Sequence, residues 1–204
     1  MKMLTGLITP SAGDATVAGF DVRSASQAIK RVAGILPEGL GLFDHLTIEE
    51  HLLLSGPIYG LTPAETRFRT DQLLRALGLY ETRFTFADQS SHGMRKKTSL
   101  ALALLHNPRV LFLDEPFEGI DPVTAITIAT LLQNIARRGI TVFLTSHALS
   151  IVDRLADTIL VIRQGTIVWQ SAAGELPSSL EEHYLTLVEP QKVEQLEWLG
   201  CSQS

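Results

Sequence analysis

A strand that ends in two carboxylates constrains this chain more than any other feature of its sequence. Residues 110–113 are four consecutive apolar side chains, and Asp114 and Glu115 follow them directly. A short, continuously apolar run is typical of a strand buried on both faces, as in a parallel sheet covered by helices. The two acids then lie at the carboxyl edge of that sheet, where open α/β folds bind ligands. This placement indicates that one carboxylate binds Mg²⁺ and the other orients a water; the alternative is a strand that ends in two solvated acids.

A histidine is predicted to join the two acids at the same edge. A second apolar strand is predicted over 141–144, and His147 follows it after two hydroxyl residues. The intervening segment is predicted to be a helix, so the two strands are expected to be parallel neighbours. It carries an N-cap residue, a first-position proline and a stop glycine: Asp121, Pro122 and Gly139. This register favours a phosphate-sensing role for His147 over a purely structural one.

With these elements in this order, the chain resembles the nucleotide-binding domain of ABC transporters over nearly its whole length. Five segments carry the resemblance, in the order in which the family has them. They are the Q-loop at 34–38, the signature at 90–94 (Ser-Ser-His-Gly-Met in place of L-S-G-G-Q), Walker B at 111–116, the D-loop at 119–121 and the switch-histidine segment at 145–147. The resemblance implies an α/β, P-loop NTPase-like fold with a mainly parallel sheet and an inserted helical subdomain.

The same resemblance implies one domain over 1–204, with its helical subdomain at about 40–108 and a peripheral C-terminal helix at about 174–204. Capping boxes at 47–50 and 62–65 predict where the first two helices of the subdomain begin. Ser90 or Ser91 is expected to cap a third helix, which leads to the Walker B strand.

The resemblance implies a role in binding ATP or Mg²⁺, or in hydrolysis, for each motif residue. Asp114 binds the metal, while Glu115 and His147 are catalytic, through the attacking water and the γ-phosphate. Glu38 stands where the family carries glutamine in the Q-loop, and a carboxylate can still bind Mg²⁺. Three further residues are implied to contact the nucleotide: Ser91, Gly93 and Asp121.

The signature segment departs from the family pattern. His92 replaces the first glycine, so we expect strain if that position requires a positive φ, and crowding of the phosphate. A protonated His92 could instead donate to the phosphate, and a polar helix cap without a ligand is the simpler alternative. Arg95, Lys96 and Lys97 follow in the first turns of the helix, where they oppose its macrodipole. Either an anionic neighbour or a solvated face would explain them.

The sequence contains no G-x-x-x-x-G-K-[ST] phosphate loop. The resemblance begins just past that loop, because residues 1–4 are similar to the later part of the helix that the loop opens. The first strands and the phosphate loop are therefore expected to be missing, through a misassigned start codon or a truncated gene product. The 204-residue form is accordingly expected to bind ATP very weakly and to hydrolyse none.

Composition narrows the remaining function classes. A formal net charge of −5, with no basic run longer than residues 95–97, argues against a nucleic-acid partner. The single cysteine, Cys201, excludes an internal disulfide. No apolar stretch has the length of a bilayer-spanning helix, so any work at a membrane is expected to go through a partner.

The resulting hypothesis is an ATP-hydrolysing subunit that pairs head to tail, as a homodimer or heterodimer, and energises a separate membrane-spanning transporter, an exporter. Its expected location is the cytoplasmic face of the cell membrane. The alternative is a non-catalytic fragment or regulatory pseudo-subunit that cannot bind ATP by itself. A soluble ABC ATPase of translation or repair is disfavoured, because such proteins usually carry two cassettes or a coiled-coil insert.

Overall fold

The computed structural model describes residues 1–172, 175 and 179–187. The chain divides into two compact units, Met1–Ala148 and Leu149–Ser204, and each is described by itself. Cys201 and most of the helix predicted at about 174–204 lie outside the described residues.

The first unit contains a small hairpin, a short helix and a parallel sheet. These elements are β1 (Thr16–Val17), β2 (Phe20–Asp21), α1 (Ser26–Val32), β3 (Ala33–Leu36), β4 (Val110–Asp114) and β5 (Thr141–Thr145). The sheet has the order β3-β4-β5 with both pairings parallel, and Asp114 is in register with Thr145 at its carboxyl end. In the middle strand, Leu111, Phe112 and Leu113 are buried, as their continuous apolar run predicts.

A helical segment occupies the chain between β3 and β4. It comprises α2 (Ile48–Ile58), α3 (Pro63–Ala76), a 3-10 turn (Ala87–Gln89) and α4 (His92–Leu104). Ser91 rather than Ser90 caps α4 by accepting a hydrogen bond from the Met94 N–H. Between β4 and β5 lies α5 (Pro122–Arg137), capped by Asp121 as expected. The α/β class, with its parallel sheet and inserted helices, is confirmed.

Both predicted capping boxes are present at the starts of α2 and α3. In the first, the Glu50 N–H donates to the Thr47 hydroxyl, while the Thr47 N–H and hydroxyl both donate to the Glu50 carboxylate. These donors lower the pKa of Glu50, with the backbone hydrogen bond from Thr47 as the largest cause. Thr62 and Glu65 form the same arrangement before α3. Reciprocal capping therefore fixes where each helix begins.

We expect Thr47→Ala to lower the free energy of unfolding by about 1 kcal/mol, because the Glu50 N–H loses its cap. The variant should also lose part of the acid sensitivity of the wild type. The stabilisation by the Glu50 carboxylate is complete above the pKa that this group has in the unfolded chain, and it is lost as the pH falls through the lowered pKa of the folded state. Thermal melts from pH 7 to pH 3 measure both effects.

Thr127→Ala is the matched control for this variant. The Thr127 hydroxyl donates only to the Val123 carbonyl within its own helix, so the expected change is within about 0.5 kcal/mol. Equal melting curves for Thr47→Ala and the wild type would contradict a stabilising role of the capping box.

The second unit is a hairpin accompanied by two helices. Its elements are α6 (Leu149–Leu155), β6 (Thr158–Arg163), β7 (Thr166–Ala172) and α7 (Leu180–Leu187). The strands β6 and β7 are antiparallel, and the Trp169 ring lies 4.5 Å from that of His183 on α7. Across the described part of both units, no helix combines the length and the apolar character that crossing a membrane requires.

Candidate nucleotide site

The carboxyl end of β4 is held to β5 by one hydroxyl group. The Thr145 hydroxyl donates to Asp114 Oδ1 at 2.7 Å and accepts a hydrogen bond from the Glu115 N–H at 3.2 Å. It therefore fixes the first carboxylate and the backbone of the second at the same time. Thr145 was not predicted as a site residue, although its place opposite Asp114, at the end of the neighbouring strand, is the signal that could have indicated it.

Glu115 and His147 are brought together, as the strand order predicts. The His147 N–H donates to Glu115 Oε2 at 3.1 Å, and His147 Nε2 lies 3.5 Å from Glu115 Oε1. The Glu115 side chain is 18% exposed and that of His147 is 91% exposed. The carboxylate is thus oriented by the protein, whereas the imidazole is accessible to a ligand.

The backbone of Glu115 has a left-handed conformation, with φ at +46°. Such a conformation is uncommon for a residue with a side chain, and it persists only where its surroundings enforce it. It turns the chain sharply after β4, so that Asp114 and Glu115 can direct their carboxylates to different partners, the Thr145 hydroxyl and the His147 N–H.

A cavity of about 210 Å³ adjoins this edge of the sheet. Two of the predicted site residues, Glu38 and Asp114, line it together with Lys2 and Thr5. The Thr145 hydroxyl contacts only one of the two Asp114 carboxylate oxygens. Within the described ranges, no group of three or more His, Cys, Asp or Glu residues could hold a metal. Mg²⁺ usually takes one or two protein carboxylates and completes its shell with water and phosphate oxygens, so Glu38 and Asp114 fit Mg²⁺ bound with a nucleotide.

The other predicted residues lie where α4 meets the segment before α5. A β-carbon placed on Gly93 would lie 3.3 Å from Thr124 Oγ1 and 3.6 Å from Asp121 Oδ2. The Asp121 carboxylate accepts from the Thr124 hydroxyl and N–H, and these hydrogen bonds lower its pKa. Ser91 is exposed beside them as the cap of α4. The predicted residues thus form two groups, one at the sheet edge and one at the start of α4.

His92 does not carry the strain that its replacement of a glycine suggested. It is the first residue of α4 and has a helical backbone. Its ring packs against the D-loop instead, because a β-carbon placed on Gly119 would lie 3.2 Å from His92 Cδ2. The imidazole therefore fills the space between the start of α4 and Gly119. A glycine at position 92, as in the family motif L-S-G-G-Q, would have no side chain to fill it.

At Lys96, the structure contradicts the solvated-face alternative for the basic run at 95–97. It is only 3% exposed, and its ammonium donates to the carbonyl oxygens of Glu115 at 2.6 Å and Glu118 at 3.1 Å. Burial lowers its pKa. A solvated face therefore does not explain this lysine. Backbone carbonyls hold it, and the Glu118 and Glu115 carboxylates are its anionic neighbours.

The parallel sheet with its inserted helices, and with an acid pair and a histidine at its carboxyl edge, has the architecture of the P-loop NTPase-like α/β class. A family model described as "ABC transporter" matches residues 1–118, more than half of the chain. The chain therefore belongs to the ABC transporter family, whose ATP-binding domains act with membrane transporter components. A solved structure described as an ATP binding subunit of an ABC transporter is similar to it, with a TM-score of 0.81 and 28% identity, over 91% of this chain and 80% of that one.

Two relatives are similar at the sequence level. Linearmycin resistance ATP-binding protein LnrL of Bacillus subtilis (strain 168) is 33% identical over 180 residues, which are 88% of this chain and 58% of LnrL. Daunorubicin/doxorubicin resistance ATP-binding protein DrrA of Streptomyces peucetius is 33% identical over 187 residues, 92% of this chain and 57% of DrrA. The chain thus spans less than two thirds of the length of each.

Proposed function

We propose that this chain is an ATP-binding and ATP-hydrolysing subunit that energises a membrane-spanning ABC transporter. The observation that carries the proposal is the convergence of Asp114, Glu115 and His147 at one edge of the sheet, fixed by the Thr145 hydroxyl and the His147 N–H. A carboxylate held in this way is pre-organised to orient a water. Positioning of the reacting groups is a main contribution of a protein to phosphoryl transfer.

Each residue of the sheet edge has a separate task in this proposal. Asp114 and Glu38 hold Mg²⁺, and the metal, when bound, supplies positive charge to the phosphate oxygens. Glu115 accepts a proton from the attacking water, and its hydrogen bond from the His147 N–H aims the carboxylate. The exposed His147 imidazole donates to the γ-phosphate. Hydrolysis would then require no large movement of Glu115.

The residues at the start of α4 act on a second nucleotide, held by another nucleotide-binding subunit in a homodimer or heterodimer. Ser91 is exposed, and it begins a helix of 13 residues whose N-terminus attracts phosphate. Gly93 allows close packing on Asp121, which orders the D-loop beside it. In the proposed dimer, His92 would contact the phosphate through the ring that packs on Gly119.

The helical subdomain at about 40–108 is proposed to meet the membrane-spanning partner. It exposes several large apolar side chains: Phe43, Leu54, Ile58, Phe68 and Phe84. Docking there would hold the subunit at the cytoplasmic face of the membrane. The names of LnrL and DrrA refer to resistance to linearmycin and to daunorubicin and doxorubicin, which supports export as the direction of transport.

The test is Mg-ATP titration and phosphate release. It is made first with the 204-residue chain, which is expected to hydrolyse no ATP because its sequence contains no phosphate loop. It is then made with the transporter complex, purified through a tag on a version of the chain that also carries a phosphate loop. We expect saturable, Mg²⁺-dependent phosphate release by the complex, sensitive to His147→Ala. A complex that assembles but neither binds nor hydrolyses ATP at this subunit would support the alternative of a regulatory pseudo-subunit. Activity unchanged by His147→Ala would contradict the assigned site.

A further inference from the structure

Lys96 is a buried lysine to which the proposed function assigns no task. Its ammonium is within hydrogen-bond distance of two acceptors, the carbonyl oxygens of Glu115 and Glu118. A buried ammonium needs such acceptors, because it has lost its hydration. The same two carbonyls begin and end a single turn, since the Glu118 N–H donates to the Glu115 carbonyl at 3.3 Å. Lys96 therefore holds a defined backbone turn.

The turn that Lys96 holds contains the residue assigned to activate water. Glu115 is the residue of this turn with a left-handed backbone, and three groups from outside the turn fix it. The Thr145 hydroxyl accepts from its N–H, the His147 N–H donates to its carboxylate, and Lys96 donates to its carbonyl. The hydrogen bond from Lys96 is the shortest of the three. Without it, the peptide after Glu115 could rotate toward a more common conformation, and the carboxylate would move with it.

The signature segment begins the same helix, about one turn before Lys96. Gly93 and Lys96 are three residues apart and therefore lie on one face of α4, and both are buried. Gly93 faces Asp121 and Thr124, while Lys96 reaches Glu115 and Glu118. One rigid turn of helix thus separates the proposed phosphate contact at Ser91 from the backbone of the proposed catalytic base.

We propose that Lys96 is a positioning residue, which fixes the Glu115 carboxylate and couples it to the position of the signature helix. The inference rests on the proposed function and adds a residue to that site. Binding of a phosphate at Ser91 would hold α4 in one position. The hydrogen bond from Lys96 to the Glu115 carbonyl would then hold the peptide after Glu115 in one orientation. The lysine acts through Glu115 and does not itself contact the nucleotide.

The test compares Lys96→Met with the wild type in the transporter complex. Methionine has a similar length but no hydrogen-bond donor. We expect kcat to fall about 10- to 100-fold, because a slightly misplaced base is a poor catalyst. The KM for Mg-ATP should stay within about threefold, because the lysine does not touch the nucleotide. Lys96→Arg keeps donors for both carbonyls, and it should restore most of kcat.

A double-mutant cycle separates positioning from a general loss of structure. If Lys96 acts through Glu115, Lys96→Met should cost little further activity in a Glu115→Gln background. Arg31→Met is the control, since Arg31 is an exposed cation on α1, away from both groups of site residues. It should leave kcat within about threefold. Circular dichroism and thermal melts check that each variant folds.

Two outcomes overturn the inference while leaving the proposed function intact. One is a folded Lys96→Met complex with the kcat of the wild type. The other is an equal loss of kcat with and without Glu115→Gln, which would place the effect elsewhere. If Lys96→Met does not fold, Lys96→Gln replaces it, because its shorter side chain cannot reach both carbonyls, and the same kcat loss is expected. An inactive wild-type complex would instead contradict the proposed function.

Discussion

Glu115→Gln is expected to lower the rate of ATP hydrolysis by the transporter complex about 10²- to 10⁴-fold, the usual contribution of a general base. The amide has the shape of the carboxylate, and its oxygen can still accept from the His147 N–H, so the turn after β4 should persist. It cannot accept a proton from water at neutral pH. ATP binding should therefore be retained. The nucleotide-bound dimer should accumulate, because its subunits no longer separate through ATP hydrolysis.

Two further variants give this prediction its controls. Asp114→Asn should act differently, by raising the Mg²⁺ concentration needed for half-maximal activity, because a neutral amide is a weaker ligand for Mg²⁺. Glu81→Gln removes an exposed carboxylate of the helical segment and should change the rate by less than about twofold. Phosphate-release kinetics and nucleotide-binding titrations distinguish the three. If Glu115→Gln kept most of the wild-type rate, Glu115 would not be the base.

Local patterns in the sequence predicted most of the elements that carry this site. The apolar run before Asp114, the capping boxes and the Asp121 cap each depend on residues within four positions of one another, and the structure has each of them in place. The meeting of Glu115 with His147 was also predictable, because parallel strands in register bring their carboxyl ends together. Local patterns therefore sufficed for these elements and for the edge of the sheet, whereas the arrangement of the whole fold, with its inserted helical subdomain, was implied by the family resemblance.

The contacts that fix the backbone at this edge were not predictable in the same way. Lys96 binds carbonyl oxygens, which every residue possesses, so no side-chain pattern marks its partners. The left-handed φ of Glu115 is equally invisible, since glycine is the residue that ordinarily signals it. A basic run on a helix suggests solvent exposure, and only the packing of α4 on the turn after β4 shows that its middle lysine is buried.

The packing of α4 on the sheet leads to the second large effect. Gly34→Ala is expected to lower the free energy of unfolding of the first unit by about 2–3 kcal/mol, at the upper end of the range for overpacked cores. A β-carbon on Gly34 would overlap the Ala103 carbonyl oxygen and would lie 2.8 Å from Leu111 Cδ1. The Leu111 side chain could rotate, whereas the Ala103 carbonyl belongs to the backbone of α4. The helix must therefore move away from β3, and its contacts with Glu115 must change with it.

Gly39→Ala is the matched control, because no atom lies within 4 Å of the β-carbon that it adds. Its stability should stay within about 0.5 kcal/mol of the wild type.

Gly34→Ala should melt roughly 5–10 °C lower, as expected for a loss of that size in a domain of this length. Hydrolysis should fall with Gly34→Ala even well below its melting temperature, because α4 carries both Ser91 and Lys96. A melting temperature equal to that of Gly39→Ala would mean that α4 can shift freely on β3. The close approach of α4 to the sheet would then not be what positions Lys96.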